Sequence, residues 1–280
     1  MQPAAPRSSS DHSKVLEDLR RTATARGRAR LGAFSLEGRR LLERALRAGW
    51  VPREVLVGAA LRREAPELES LLAGVESAGG RWREAPDAAL LELAEGRRSG
   101  LIAALLPLPA GPSLAELLGA ARVPAVFLVM VDVVEPGNVG ALIRTALASG
   151  AAGAVCVGAT DAFHPKAIRT SLGSSFKLPI ARASSSEGLL EALRSTAIHS
   201  LATVARGGTS VDRASWPRGS VALIVGNEGA GLPDRVRDAA DSRVTIDLSQ
   251  EADSFCVNAA AAVCLYEVQR RFRFALDFKG

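Results

Sequence analysis

The sequence has 280 residues, of which 48% are hydrophobic and 23% charged, a balance typical of a soluble globular protein with two domains. No apolar run approaches the roughly 18 residues that a membrane-spanning helix needs, and the N-terminus lacks the apolar core of a secretory signal. The three cysteines form no CxxC pair and the three histidines lie far apart, so we expect no metal site and a cytoplasmic protein.

Positive charge is concentrated at the start of the chain. Residues 1–53 contain twelve Lys or Arg against five Asp or Glu, whereas the remainder is close to neutral. Such a segment can neutralise phosphates, which makes a nucleic acid a candidate partner. A solvated helix face would have the same composition, so charge alone leaves both interpretations open.

The first half of the chain predicts a small α/β domain at residues 19–107. Residues 1–18 are predicted to form a disordered basic tail, because the beginning of the chain is rich in Pro, Ser and Ala. Apolar residues at helical spacing then predict one helix within residues 31–50. Short apolar runs predict strands at 54–58, 81–85 and 101–109, with helices between them. The segment 108–122 contains prolines and glycines around a short helical patch and is predicted to be a linker.

The second half, residues 123–280, predicts a larger α/β domain. Strands are predicted at 125–133, 153–158, 176–181, 198–204, 221–226 and 242–248, and a long helix from about Ser254 to Phe272 closes the domain. Several of these runs are unbroken and apolar, as in strands that are buried on both faces of a parallel sheet. Ligands bind beyond the carboxyl ends of such strands, so the loops there are the candidate site.

Three loops carry unusual polar residues. In EPGNVGALIRTA, Asn138 falls where a helix N-cap is expected, and Arg144 follows inside an apolar helix. In GNEGAGLP, Glu228 lies among glycines whose order does not match the GxGxxG dinucleotide fingerprint. In SFCVNAAAAV, Ser254 is predicted to cap a tightly packed helix. Each loop also has a purely structural alternative. The first could be a capped helix with Arg144 on its surface, Glu228 could be a solvated acid in a turn, and Ser254 could serve only as a helix cap.

These three segments, in this order, resemble the SpoU family of the SPOUT superfamily, which are RNA ribose 2′-O-methyltransferases that use S-adenosylmethionine. The resemblance spans about residues 121–270. It includes the basic segment HPKAIRTSLGSSFKLPI, and FSLEGRRLLERAL in the first half resembles the start of an L30e-like RNA-binding domain. The matching residues are Asn138, Gly140, Arg144, Thr145, Ala146, Gly226, Asn227, Glu228, Gly229, Ile246 and Ser254.

The resemblance implies a fold, a cofactor and a set of site residues. It implies a SPOUT domain with a deep trefoil knot, preceded by the L30e-like domain, and a homodimer that forms through the SPOUT domain and completes each site with both subunits. The implied catalytic residues are Asn138, Arg144, Glu228 and Ser254, with Asn138 orienting Arg144. The implied S-adenosylmethionine-binding residues are Thr203, Gly226, Asn227, Ile246, Leu248 and Phe255. The RNA-binding candidates are Arg26, Arg28, Arg30, Arg39, Lys166 and Arg169. The L30e-like domain favours ribosomal over transfer RNA as the substrate.

Three positions depart from the family pattern. Asp247 and Leu248 stand where the family has proline and methionine, and Cys256 stands where it has an active-site asparagine. A thiol is a weak hydrogen-bond donor and cannot replace an amide. Asn258 lies two residues further on, about 200° around a helix, and is predicted to point elsewhere. A weakly active or inactive RNA-binding homologue therefore remains an alternative, as does another type of nucleotide-binding α/β enzyme.

Overall fold

The computed structural model describes residues 12–214 and 219–277, which form two units. The first unit contains the described residues up to Pro109 together with Phe163–Phe176. The second unit contains Ala110–Ala162 and the described residues from Lys177 onwards. Residues 163–176 therefore belong to the first unit, although their sequence position lies inside the predicted second domain.

The first unit is built on a four-stranded sheet. Up to Pro109 its helices and strands are α1 (His12–Arg21), α2 (Ala25–Leu31), β1 (Ala33–Glu37), α3 (Arg39–Arg47), β2 (Glu54–Gly58), α4 (Ala59–Glu64), α5 (Leu68–Ser77), β3 (Arg81–Ala85), α6 (Asp87–Leu93) and β4 (Ile102–Pro107). The strand order is β1-β4-β2-β3, in which β4 is antiparallel to β1 and β2, and β2 is parallel to β3. The last three strands match predicted runs, whereas β1 was not predicted.

Helix α1 contradicts the prediction of a disordered tail for residues 12–18. Its side chains Val15, Leu16 and Leu19 are buried in one hydrophobic cluster with Leu56 and Leu90. These three side chains recur at helical spacing, so burying one face of the helix offsets the entropy cost of ordering the segment. The prediction for residues 1–11 lies outside the described residues.

Aromatic packing explains why residues 163–176 belong to the first unit. The ring of Phe34 on β1 lies 5.2 Å from that of Phe163 and 6.5 Å from that of Phe176, measured between centroids. The Nε1 group of Trp50 also donates a hydrogen bond of 3.0 Å to the carbonyl oxygen of Phe176. Burying these rings together fixes the segment against β1.

The second unit contains a seven-stranded sheet. From Ala110 the elements are α7 (Leu114–Gly119), β5 (Val126–Val131), α8 (Pro136–Ala148), β6 (Gly153–Val157), α9 (Pro165–Thr170, in the first unit), β7 (Ile180–Ala183), α10 (Ser186–Ser195), β8 (His199–Thr203), β9 (Thr209–Ser210), β10 (Val221–Val225), α11 (Asp234–Ala239), β11 (Ser242–Thr245) and α12 (Val257–Asp277). The strand order is β7-β6-β5-β10-β8-β11-β9, and each neighbouring pair is parallel. Helix α7 falls inside the predicted linker.

The parallel arrangement gathers the carboxyl ends of all these strands at one edge of the sheet. Every residue of β5, β6 and β10 is buried, which agrees with the unbroken apolar runs of the sequence. The strand predicted at 176–181 begins only at Ile180, because Ser174–Phe176 form a single 3-10 turn. Among the described helices, none combines the length and the apolar composition that crossing a bilayer requires.

Candidate active site

A cavity of about 350 Å³ lies at the carboxyl edge of the parallel sheet. It is lined by residues at or just after the carboxyl ends of β8, β10 and β11 and by the first turns of α12. All six predicted cofactor-binding residues line it, namely Thr203, Gly226, Asn227, Ile246, Leu248 and Phe255. Two predicted catalytic residues, Glu228 and Ser254, line it as well.

The loop after β10 forms one wall of the cavity as a closed turn. The backbone N–H and C=O of Asn227 bond with Gly231 at 3.0 and 2.9 Å. The Asn227 side chain accepts hydrogen bonds from two amides of the same turn and donates to the carbonyl oxygen of Asp132. A Cβ atom added to Gly226 would lie 2.5 Å from the backbone of Gly231 and Leu232, so only glycine fits there.

The chemistry of this cavity fits S-adenosylmethionine. Its volume lies within the roughly 300–1,000 Å³ of small-molecule sites. Ile246 and Leu248 provide apolar wall, and the half-exposed ring of Phe255 offers a flat apolar surface for a base. The hydroxyl of Thr203 already donates to the carbonyl oxygen of Ile224, so this residue presents its methyl group and backbone rather than a free donor.

Asn138 lies inside helix α8 and joins two other polar residues. The N-cap is Glu135, whose carboxylate accepts a hydrogen bond of 3.1 Å from the backbone N–H of Gly137. Asn138 Nδ2 donates to Glu228 Oε1 at 2.8 Å, and Asn258 Nδ2 donates to Asn138 Oδ1 at 2.8 Å. The prediction that Asn138 caps the helix is therefore wrong, because a carboxylate three residues earlier fills that role.

Arg144 is exposed, and its side chain forms no hydrogen bond or ion pair with other residues in the described part of the chain. It lies six residues after Asn138, which corresponds to about 240° around helix α8. The structure does not bring the two side chains together within one chain, because the Asn138 amide is bonded to Glu228 and Asn258 instead. Asn138 therefore does not orient Arg144 within one chain, and the orienting role stays a prediction for the dimer.

The start of α12 differs from the prediction. The helix begins at Val257, so Ser254 is not its N-cap and lies exposed at the cavity. Cys256 precedes the helix and is exposed. Cys256 and Asn258 therefore do not lie on one helix, and the Asn258 amide contacts Asn138, which spacing along a helix did not predict. Asn258 thus contacts a predicted catalytic residue without being among the predicted site residues.

The predicted RNA-binding residues all lie in the first unit. Arg26, Arg30 and Lys166 are exposed. Arg39 forms ion pairs with Glu43 and Glu67, and Arg169 lies 3.6 Å from a carboxylate oxygen of Glu37.

Arg28 differs from the other predicted RNA-binding residues. It is buried, and its guanidinium donates to the carbonyl oxygen of Thr22. This bond supports the turn between α1 and α2, so the side chain does not present its charge to a ligand.

Two cysteines of the second unit are buried and inert. Burial raises the pKa of the Cys156 and Cys264 thiols to about 12, so both stay protonated at neutral pH and pack as small hydrophobic groups. Within residues 12–214 and 219–277, no group of three or more His, Cys, Asp or Glu side chains is arranged to hold a metal ion.

Comparisons with known proteins identify the family. Residues 125–266 match the model of the SpoU rRNA Methylase family. The chain is 29% identical to the 23S rRNA (guanosine(2553)-2′-O)-methyltransferase RlmP of Bacillus subtilis, over 91% of this chain and 95% of the relative. It is 31% identical to the 23S rRNA (uridine(2479)-2′-O)-methyltransferase of Streptomyces viridochromogenes, over 96% and 93% of the two chains.

Solved structures agree with this assignment. The AdoMet-bound rRNA methyltransferase from Sinorhizobium meliloti has a TM-score of 0.81 at 26% identity and covers 94% of this chain and 96% of its own. The SpoU methyltransferase AviRb from Streptomyces viridochromogenes, in complex with AdoMet, has a TM-score of 0.79 at 28% identity and covers 93% and 98%. The α/β fold with its parallel sheet matches both structures. The chain belongs to the SpoU rRNA methylase family.

Proposed function

We propose that the protein transfers a methyl group from S-adenosylmethionine to a ribose 2′-hydroxyl of ribosomal RNA. One observation carries this proposal beyond family membership. All six residues that the resemblance assigns to the cofactor line a single cavity, and that cavity also contains Glu228, which binds Asn138. A sheet whose strands ended at different edges would have scattered these residues.

The cavity offers two kinds of contact to the cofactor, polar backbone groups on one side and apolar side chains on the other. The turn from Gly226 to Gly231 would bind polar groups of the cofactor through its backbone, while Ile246, Leu248 and Phe255 would contact the adenine. Bound there, the cofactor supplies a methyl group that its sulfonium charge already makes electrophilic. The protein then has mainly to align the ribose oxygen with that methyl group, which alone can lower the barrier substantially.

The polar side chains act on the ribose and its phosphate. The exposed hydroxyl of Ser254 and the amide of Asn138 would position the 2′-hydroxyl. Arg144 would clamp the neighbouring phosphate and the hydroxyl, since a guanidinium binds phosphate oxygens in pairs and stays protonated at neutral pH. Because the guanidinium stays protonated, it is not the proton acceptor, and the hydroxyl proton leaves to water as the methyl group is transferred.

The first unit supplies the proposed RNA surface. We propose that it is an L30e-like domain in which Arg26, Arg30, Arg39, Lys166 and Arg169 contact the RNA backbone. Ribosomal RNA is preferred over transfer RNA because both full-length relatives described above carry 23S rRNA in their names. Those names specify a guanosine and a uridine, so the proposal extends to the RNA class and not to the nucleotide.

We also propose that the second unit is knotted and forms a homodimer. The knot follows from the family resemblance. The dimer is supported by the exposed arginine on α8 and by two exposed apolar residues of α12, Val263 and Tyr266, which lie three positions apart on one helix face. Apolar side chains grouped in this way are typical of an interface. A ribosomal RNA substrate would place the activity in the cytoplasm.

Methyl transfer from labelled S-adenosylmethionine to unmodified total RNA tests this function. We expect label in the ribosomal RNA fraction and a loss of about 100-fold or more in rate for Arg144→Ala. The matched control is Arg122→Ala, another exposed arginine, which precedes β5 and so lies at the opposite edge of the sheet. Label confined to transfer RNA would change the substrate class. Cofactor binding without transfer to any RNA would favour the inactive RNA-binding homologue.

A further inference from the structure

We infer that Asn258 is a positioning residue for methyl transfer, whose amide holds Asn138 and, through Asn138, the Glu228 carboxylate. The inference rests on the proposed function, because it concerns the same site. The two hydrogen bonds of 2.8 Å connect three separate elements: the loop after β10, helix α8 and the first turn of α12. No pattern in the sequence assigns this role to Asn258.

The direction of each hydrogen bond follows from one charge. A carboxylate only accepts hydrogen bonds, so Asn138 must turn its NH₂ group towards Glu228. Its carbonyl oxygen then faces Asn258, which must in turn present an NH₂ group. Asn258 is thus the second group that fixes the rotamer of Asn138, and a residue without a donor at this position would leave that side chain held only by its bond to Glu228.

The cost of keeping an amide at this position supports the same role. The Oδ1 atom of Asn258 is buried and has no hydrogen-bond partner among the described residues. A buried acceptor without a partner destabilises a protein. The next four residues, 259–262, are all alanine, so an apolar side chain would suit the packing of this turn. The donor contact with Asn138 explains why the turn contains an amide.

The neighbouring thiol does not supply this contact. Cys256 is exposed and precedes α12, whereas Asn258 is half-buried in the first turn, where α12 packs on α8. The amide that contacts Asn138 therefore comes from position 258, two residues after Cys256.

A double-mutant cycle on methyl transfer tests the inference. We expect Asn258→Ala to lower kcat about 10- to 100-fold while KM for S-adenosylmethionine and for RNA stays within about twofold. The Asn138→Ala variant should lose at least as much, and the double variant should be no slower than Asn138→Ala alone. The matched control is Gln269→Ala on the same helix, whose amide lies 3.5 Å from the carbonyl oxygen of Gly150. It should keep wild-type kcat.

A near-isosteric variant separates donation from packing. Asn258→Asp keeps the shape but replaces the NH₂ donor with an oxygen that faces Asn138 Oδ1, so we expect it to lose kcat as Asn258→Ala does. Circular dichroism and thermal unfolding would verify that each variant is folded. Unchanged kcat in either variant, or independent effects of the two asparagines, would overturn the inference.

Failure of the proposed function gives a different result. In that case the wild-type protein would transfer no methyl group to any RNA. The same cycle is then measured in the free energy of unfolding, where additive changes for Asn258→Ala and Asn138→Ala would show that the two side chains are not coupled and overturn the inference. Non-additive changes in the free energy of unfolding would support the contact between Asn258 and Asn138, and only the proposed function would then be rejected.

Discussion

Asn138, Glu228 and Asn258 together show how side chains far apart in sequence form one polar group. Because a carboxylate only accepts hydrogen bonds, Asn138 donates to Glu228 and its carbonyl oxygen accepts from Asn258. Cys256, which the family pattern places at an asparagine, stands outside this arrangement as an exposed thiol. The position of the amide in space decides which residue contacts Asn138, and here that residue is Asn258 and not Cys256.

The three thiols should differ in reactivity as their burial does. We expect a thiol reagent such as DTNB to modify Cys256 in the native protein, whereas Cys156 and Cys264 should react only after unfolding. Burial raises the pKa of both to about 12, so very little of the reactive thiolate is present at neutral pH. The Cys256→Ser variant should show no rapid reaction. Rapid modification of a second thiol in the folded protein would contradict the burial of these helices and strands.

At the scale of elements, the turn after β10 depends on a close approach of two backbone segments. The Gly226→Ala variant should destabilise the protein by about 1–3 kcal/mol and weaken cofactor binding, because the new methyl group would collide with backbone that cannot move aside. Urea unfolding and calorimetric titration with S-adenosylmethionine would measure the two effects.

The same turn offers a control for this prediction. A Cβ atom at Gly229 would lie 3.7 Å from the nearest atom, the Asn227 side-chain oxygen, which is an ordinary contact distance. Gly229→Ala should therefore unfold at nearly the wild-type urea concentration. Equal destabilisation by both substitutions would mean that flexibility of the turn matters more than the close approach at Gly226.

Local patterns predicted the elements that bury continuous apolar runs, and these positioned the site. Strands β5, β6, β8 and β10 lie within predicted runs, so the loops at their carboxyl ends were found as well. Strand β1 was missed, because its five residues gain their partners only by pairing with β4, about seventy residues later in the sequence. The bond between Asn138 and Asn258 spans 120 residues, so local spacing carries no trace of it.

At the scale of the whole molecule, a single chain does not bring all the proposed catalytic residues together. Asn138 faces Glu228 and Asn258, while Arg144 is exposed about 240° further around α8. An arginine that must reach a phosphate beside the cofactor cannot act from there on the Asn138 of its own chain without a large rearrangement. A second subunit that presents its arginine to this site would bring the two groups together, as the proposed homodimer requires.

Mixing two impaired variants tests whether the site is shared between subunits. We expect the Arg144→Ala and Asn138→Ala homodimers each to lose most of the wild-type activity. In a mixed dimer, one site would combine Asn138 of the first variant with Arg144 of the second, and the other site would lack both. Random exchange of equal amounts should therefore restore about a quarter of wild-type methyl transfer, since half of the dimers are mixed and each has one complete site. If both residues serve the site of their own chain, every site in the mixture lacks one of them, and no activity returns.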